Sequence, residues 1–214
     1  MDVSPATVAL VACVIVSAVV AVWSQAGGHR RVHLAAKPLT TGLIIAVAAV
    51  APIPVPAAYK TLVLAGLVFS LLGDIALMFP EKRFTAGLVA FLAAQVLYIL
   101  AFRPRPGNPP SAATFLPFVL FGLLMFFLLA PKLGPMKVPV FVYIAAITAM
   151  AGFAAARYVD LGGTRTLLAF VGAVLFLVSD SVLAYDRFAR KVPAARLLVL
   201  GTYFPAQLLI ALSV

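Results

Sequence analysis

Acids are scarce in this chain: six Asp and Glu side chains stand against 16 Lys and Arg among 214 residues. Charged residues of both signs make up 10% of it, where a soluble domain carries about a quarter. Cysteine occurs once, as Cys13, which excludes an internal disulfide. The two histidines, His29 and His33, and that single cysteine lack the spacing of metal ligands, so no zinc site is expected. No polar stretch is long enough to form a soluble domain, and residues 1–214 read as one integral membrane domain. What is present in quantity is apolar: 64% of the residues are hydrophobic and the mean hydropathy is +1.16. The first apolar run has only Asp2 ahead of it and is too long for a leader core. A first transmembrane helix is therefore expected there, not a cleaved signal.

The net charge of +10 is spread between apolar runs, which fits loop charges that set membrane topology and gives no ground for nucleic-acid binding. About 20 apolar residues cross the hydrocarbon core. That length predicts an all-α bundle of eight spans: Val3–Trp23, Pro38–Val55, Thr61–Phe79, Phe84–Phe102, Ser111–Ala130, Val138–Ala156, Thr166–Ala184 and Leu197–Val214. Breakers fall between them, at Gly27-Gly28, Pro52/Pro54/Pro56, Pro104 to Pro110, Pro131/Pro135, Gly162-Gly163 and Pro193. Eleven of the 16 basic residues follow the odd-numbered spans, and only Lys60, Arg103, Arg105, Arg157 and Arg165 lie on the other side. The positive-inside rule then puts both termini outside and the odd loops in the cytoplasm of a cell (inner) membrane.

Against this background two intramembrane acids stand out, Asp74 in Leu72-Gly73-Asp74 and Asp180 in Ser179-Asp180-Ser181. A carboxylate at membrane depth costs about 2.5–3.5 kcal/mol on insertion scales, so such a residue is a functional-site candidate by default. Both spans run from outside to inside, which puts both acids roughly 6–8 Å below the cytoplasmic interface at 1.5 Å per residue. Ala94-Gln95 in span four and Ala206-Gln207 in span eight form a second echo. Together the echoes predict two parallel four-helix repeats, residues 1–103 and 111–214.

Gly66, Ser70 and Gly73 form a small-residue stripe beside Asp74 that lets another helix approach. Two acids in one pocket titrate as a pair and supply a proton donor and a proton acceptor, as a hydrolase or an ion-coupled transporter needs. Ser179 and Ser181 offer hydroxyls to a carboxylate or a polar substrate, while Asp186 beside Arg187 reads as a solvated loop charge. Pro38 suits a first helical turn, which leaves Lys37 either an ordinary loop lysine or a phosphate anchor at the positive end of span two. Gln95, Tyr98, Tyr203 and Gln207 are polar groups within spans, and interhelical hydrogen bonding accounts for each. His29 and His33 read as solvated members of a basic loop.

Several motifs in order resemble the YhhN-like family, which includes the mammalian lysoplasmalogenases. They are Lys37-Pro38, Leu72-Gly73-Asp74, Phe84-x-x-Gly87 leading to Leu97-Tyr98-Ile99, Ser179-Asp180-Ser181 followed by Arg187-Phe188, and Thr202-Tyr203-Phe204 leading to Ala206-Gln207. The resemblance covers nearly the whole chain from Lys37 onward. It implies an eight-helix membrane hydrolase that cleaves the vinyl ether of lysoplasmalogen to a fatty aldehyde and a glycerophospho-ethanolamine or -choline. One departure is Gln95, where many members of that family carry a histidine.

The implied chemistry needs a proton delivered to carbon and a carboxylate that stabilises the resulting oxocarbenium ion and activates water, with no metal or cofactor. Asp74 and Asp180 are the candidates for those two roles. The resemblance makes Lys37, Gln95, Tyr98, Ser179, Ser181, Arg187, Tyr203 and Gln207 candidate contacts for a lysophospholipid, with its phosphate towards Lys37 and Arg187. This reading predicts loss of turnover in Asp74→Asn and Asp180→Asn. The alternative is a proton-coupled transporter of a small lipid or metabolite, which would show substrate-dependent proton flux and no aldehyde. An aspartate-dyad protease ranks below both.

Overall fold

The computed structural model describes residues 5–51, 55–104 and 109–214. Asp2, Val3, Pro52, Pro54 and Arg105, used above for span ends, breakers and loop charge, lie outside the described residues. Among the described residues there are eight helices long and apolar enough to cross a membrane, and no strand. A chain in lipid must satisfy its backbone polar groups internally, which is why long apolar runs become helices. They are α1 (Pro5–Ala26), α2 (Arg30–Val50), α3 (Ala57–Leu77), α4 (Pro80–Phe102), α5 (Ala112–Leu129), α6 (Lys137–Leu161), α7 (Gly163–Ala184) and α8 (Ala195–Leu212). This is a multi-pass membrane protein.

Most ends fall within a turn or so of the expected spans, but α2 starts at Arg30 instead of Pro38. Gly28, at φ +71°, closes the turn after α1, and the helix resumes immediately. The apolar run marks the part of α2 in the membrane, not where the helix begins. Pro38 is therefore interior, which membrane helices tolerate because neighbouring groups satisfy the freed backbone. Lys37 sits well inside α2, so the expected phosphate site at the helix N-terminus is lost. α4 carries a kink at Arg83 (φ −129°, ψ 16°), and its regular part begins at Phe84. α7 runs on into a five-residue π-helical segment, Tyr185–Ala189, of the kind that occurs often beside functional sites.

Sequential helices pack in pairs, α1 on α2, α3 on α4, α5 on α6 and α7 on α8. α2 also packs against α8, as α6 does against α4, while α5 stays on the outside. The small-residue stripe of α3 faces α4. A Cβ on Gly66 would run into the Tyr98 ring, and one on Gly73 would meet the Phe91 ring at 2.6 Å. The closeness of these two helices brings the aromatic side of α4 over the acid on α3. Phe91, Phe176 and Tyr203 then form an edge-on cluster, with ring centroids 5.8–5.9 Å apart, between α4, α7 and α8.

Candidate functional site

Three helices each contribute two residues one turn apart to a single buried network. α2 brings Lys37 and Thr41, α3 brings Ser70 and Asp74, and α8 brings Tyr203 and Gln207. The spacing i, i+4 stacks both members of each pair on one helix face. Asp74 is 1% exposed, and its Oδ1 lies 3.0 Å from the Lys37 ammonium. Its Oδ2 accepts hydrogen bonds from Thr41 Oγ1 at 2.6 Å and Tyr203 Oη at 2.8 Å. Gln207 Nε2 donates to Ser70 Oγ at 3.0 Å, and its Oε1 accepts from Tyr98 Oη at 2.8 Å. A carboxylate this deep is held by a counter-charge and charge-assisted bonds, the arrangement that offsets its desolvation.

Asp180 has different surroundings. It is half-buried on α7, and its Oδ2 accepts a hydrogen bond from the Tyr143 hydroxyl of α6. It opens onto an apolar cavity between α4, α5, α6 and α7, whose walls include Phe84, Leu88, Phe91, Met125 and Phe188. Next to it lies a larger vestibule rich in basic side chains, Arg30, His33, Lys37, Lys82, Arg187 and Arg196 among others. Leu77, Phe84 and Leu183 line both spaces, so the two adjoin. Leu183 is one turn from Asp180, which sets that carboxyl close to the junction.

The expected residues separate between these two settings. Of the two cavities, Asp180 lines the apolar one, whereas Asp74 lines neither, so the two acids do not share one open cavity. Phe91 stands between them, lining the cavity and meeting Tyr203 edge-on. They remain electrostatic neighbours, and the charges of both Asp74 and Lys37 act on Asp180. Lys37 joins the settings from the other side: it pairs with Asp74, is 12% exposed and lines the vestibule. Arg187 lines the vestibule too, with its guanidinium 4.9 Å from the centroid of the Phe84 ring.

The serines flanking Asp180 spend their hydroxyl protons on backbone carbonyls. Ser179 Oγ donates to the Val199 carbonyl at 3.1 Å and ties α7 to α8, and Ser181 Oγ donates to the Leu177 carbonyl at 2.7 Å. Neither hydroxyl is offered to Asp180, because each is closer to a carbonyl of its own or the adjacent helix. His29 is the exposed loop residue expected, stacked on Trp23, whereas His33 lies within α2, half-buried, with Nδ1 3.2 Å from the Ala21 carbonyl oxygen. Asp186 is tied to Lys191 and to the Val192 N–H, pinning the loop after the π-helical segment.

Sequence reasoning missed Thr41 and Tyr143. Thr41 was legible, because it follows Lys37 by one helical turn. Tyr143 was not, since a tyrosine in a span has no local signal that says which acid it meets. Gln95 is completely buried beside the Tyr143 hydroxyl, yet among the described residues neither atom of its amide completes a hydrogen bond. Among the described residues no three His, Cys, Asp and Glu side chains converge as metal ligands would.

A family model described as the YhhN family matches residues 32–214. A Bos taurus protein named lysoplasmalogenase TMEM86A is 38% identical over 158 residues, covering 72% of this chain and 65% of its own length. The Homo sapiens lysoplasmalogenase TMEM86B is 37% identical over 167 residues, covering 72% of this chain and 64% of itself. This chain thus matches just under two thirds of the length of each. An Escherichia coli O157:H7 relative, named uncharacterized membrane protein YhhN, is 30% identical over 181 residues, 83% of this chain and 84% of the relative. No solved structure matches the chain.

Proposed function

Because the chain belongs to the YhhN family, we propose that it is a membrane hydrolase of lysoplasmalogens, cleaving their sn-1 vinyl ether to a fatty aldehyde and a glycerophospho-ethanolamine or -choline. The observation that carries this reading is the junction: a carboxyl group next to the boundary between an apolar cavity and a basic vestibule. A single-chain phospholipid has the same polarity profile. Its alkenyl chain fills the cavity, its phosphate lies among Lys37, Arg187 and Arg196, and its vinyl ether falls between them, at Asp180.

The chemistry follows from that pose. Asp180 passes its proton to the outer alkenyl carbon, forming a C–H bond from the π electrons. The ether oxygen's lone pair makes the inner carbon an oxocarbenium ion. The carboxylate left on Asp180, oriented by Tyr143, lies against that cation and stabilises it. Water adds to the inner carbon and gives a proton back to Asp180. As the hemiacetal's C–O bond to glycerol breaks, Asp180 gives its proton to the departing glycerol oxygen and takes up the one lost by the hemiacetal hydroxyl, releasing aldehyde and the glycerol hydroxyl. Asp74 keeps Lys37 at the edge of the vestibule and adds its charge to the field at Asp180. Tyr203 and Thr41 hold Asp74, while Gln207 and Tyr98 brace the wall behind it.

The basic end of the bundle faces the cytoplasm by the same charge bias that orients the spans. Two parallel four-helix halves fit the recurring helix pairs and the α2–α8 and α6–α4 contacts. The test is direct: purified protein in lipid vesicles is given a lysoplasmalogen, and the released aldehyde is trapped and measured. Aldehyde from the unaltered protein, lost in Asp180→Asn, is the expected result. No aldehyde across a range of pH and headgroups overturns the reading, and substrate-driven proton flux in its place would favour a transporter.

A further inference from the structure

We propose that Gln95, together with Tyr143, holds the water molecule that the hydrolysis consumes; this rests on the hydrolase reading. Phe84, Leu88 and Phe91 line the apolar cavity from α4, and Gln95 continues that same stripe one turn beyond Phe91. It is 0% exposed and adjoins the hydroxyl of Tyr143, which itself lines the cavity and bonds Asp180. Among the described residues, neither Nε2 nor Oε1 has a hydrogen-bond partner. Gln207, the matching glutamine of α8, has both of its amide atoms bonded. The contrast is informative, because an unpaired buried polar group costs about 1–3 kcal/mol. A buried water with two to four polar partners removes such a cost.

The reaction has a corresponding need. An alkenyl chain filling the cavity displaces bulk water from it, yet one water must reach the cationic carbon before the proton transfer reverses. Other polar side chains on the cavity wall are already committed. Ser181 donates to the Leu177 carbonyl, and Thr148 to the carbonyls of Ile144 and Ala145. The Gln95 amide offers one donor and one acceptor, and the Tyr143 oxygen a further site, next to the carboxylate that takes the water's proton. The water's oxygen lone pair forms the new C–O bond, and its proton goes to Asp180, restoring the acid. Gln95 is thus a positioning residue, acting on the reacting carbon through water.

Deuterium separates this role from a structural one. In D2O the unaltered protein releases aldehyde carrying deuterium at the protonated carbon, while recovered lysoplasmalogen stays unlabelled. Gln95→Met keeps the side chain's length and removes the amide. Aldehyde release then falls by about a hundredfold, the cost of a misplaced reactant. Protonation still occurs and reverses, so recovered substrate gains deuterium at the alkenyl carbon. A folded Gln95→Met protein that releases aldehyde at the normal rate overturns the proposal, as does one that loses release without labelling substrate. Should Gln95→Met fail to fold, Gln95→Asn decides, since it retains the amide and leaves room for the water. It is expected to keep release within about tenfold, and a folded Gln95→Asn protein without activity refutes the seat. Failure of the unaltered protein to release aldehyde removes the hydrolase reading and the water seat together, whereas the variant outcomes remove the seat alone.

Discussion

Removing the Lys37 ammonium tests the electrostatics of the buried network more sharply than removing its partner does. In Lys37→Met the Asp74 carboxylate keeps its bonds from Thr41 and Tyr203 but loses the cation 3.0 Å away, at a place 1% exposed. Breaking a buried pair on one side costs about 3–5 kcal/mol, and the two retained hydroxyl bonds put this case towards the lower end. Asp74→Asn is milder. An amide oxygen still accepts from Thr41 or Tyr203, and Lys37, already lining the vestibule, swings its ammonium into water. Its cost is that of weakened charge-assisted bonds, about 1–3 kcal/mol. For a chain of this size each kcal/mol moves the melting midpoint by about 2–4 °C. Thermal unfolding in detergent, followed by size-exclusion or tryptophan fluorescence, should show Lys37→Met roughly 10 °C below the unaltered protein. Asp74→Asn should fall less far, and Lys37→Met/Asp74→Asn should recover part of the loss. Equal losses in the two single variants, or a double variant showing their full sum, would refute the account of Asp74 as an ion-paired carboxylate.

Other outcomes follow from the same geometry. Asp180→Asn should remain folded, since among the described residues its one side-chain bond is from Tyr143, while aldehyde release drops by about 10²–10⁴-fold, the usual worth of a general acid. In Tyr143→Phe the carboxylate formed on Asp180 loses its donor, and kcat should fall about tenfold with KM little changed, as steady-state kinetics would report. Two glycines of α7 and α8 should behave oppositely in thermal melts. A Cβ at Gly172 meets the Ala206 carbonyl oxygen at 2.8 Å and Ile210, so Gly172→Ala destabilises by about 1–3 kcal/mol. Gly201 has open space around it within α8, so Gly201→Ala should be neutral or stabilising by up to about 1 kcal/mol.

The eight helices were readable because lipid leaves an apolar run little choice of structure, and the run length is set by the bilayer. The same rule misled at Pro38: hydropathy marks the apolar run, and α2 extends beyond it on Arg30, Arg31 and His33, which the run excludes. Asp74 and Asp180 stood out as candidates since an acid in a span needs a partner. Their partners were less so. Thr41 could be read from its spacing to Lys37 and Tyr203 from its depth, but Tyr143 and Gln95 meet only because α4 packs against α6. That contact depends on which helices neighbour one another, which a hydropathy pattern does not encode. The serines flanking Asp180 show the converse. Adjacent in sequence, they point to other sides of α7 and bond carbonyls.

The difference between the two acids decides which experiment on them is interpretable. Asp74 is bound by side chains from α2 and α8, and the Ser70–Gln207–Tyr98 chain one turn away joins α3, α8 and α4. Any change at Asp74 therefore alters how α2, α3 and α8 are held together, and lost turnover in Asp74→Asn mixes chemistry with packing. Asp180 meets a single hydroxyl at the rim of a cavity, where a neutral isostere disturbs little else. For this reason a folded and inactive Asp180→Asn is the informative result. On the proposed pose, Asp74→Asn should be read through the split between KM, which would report Lys37 and the headgroup, and kcat, which would report the field at Asp180. If Asp74→Asn lowered kcat as deeply as Asp180→Asn with KM unchanged, Asp74 would itself be moving a proton, and the division of roles between the two acids would have to be reversed or shared.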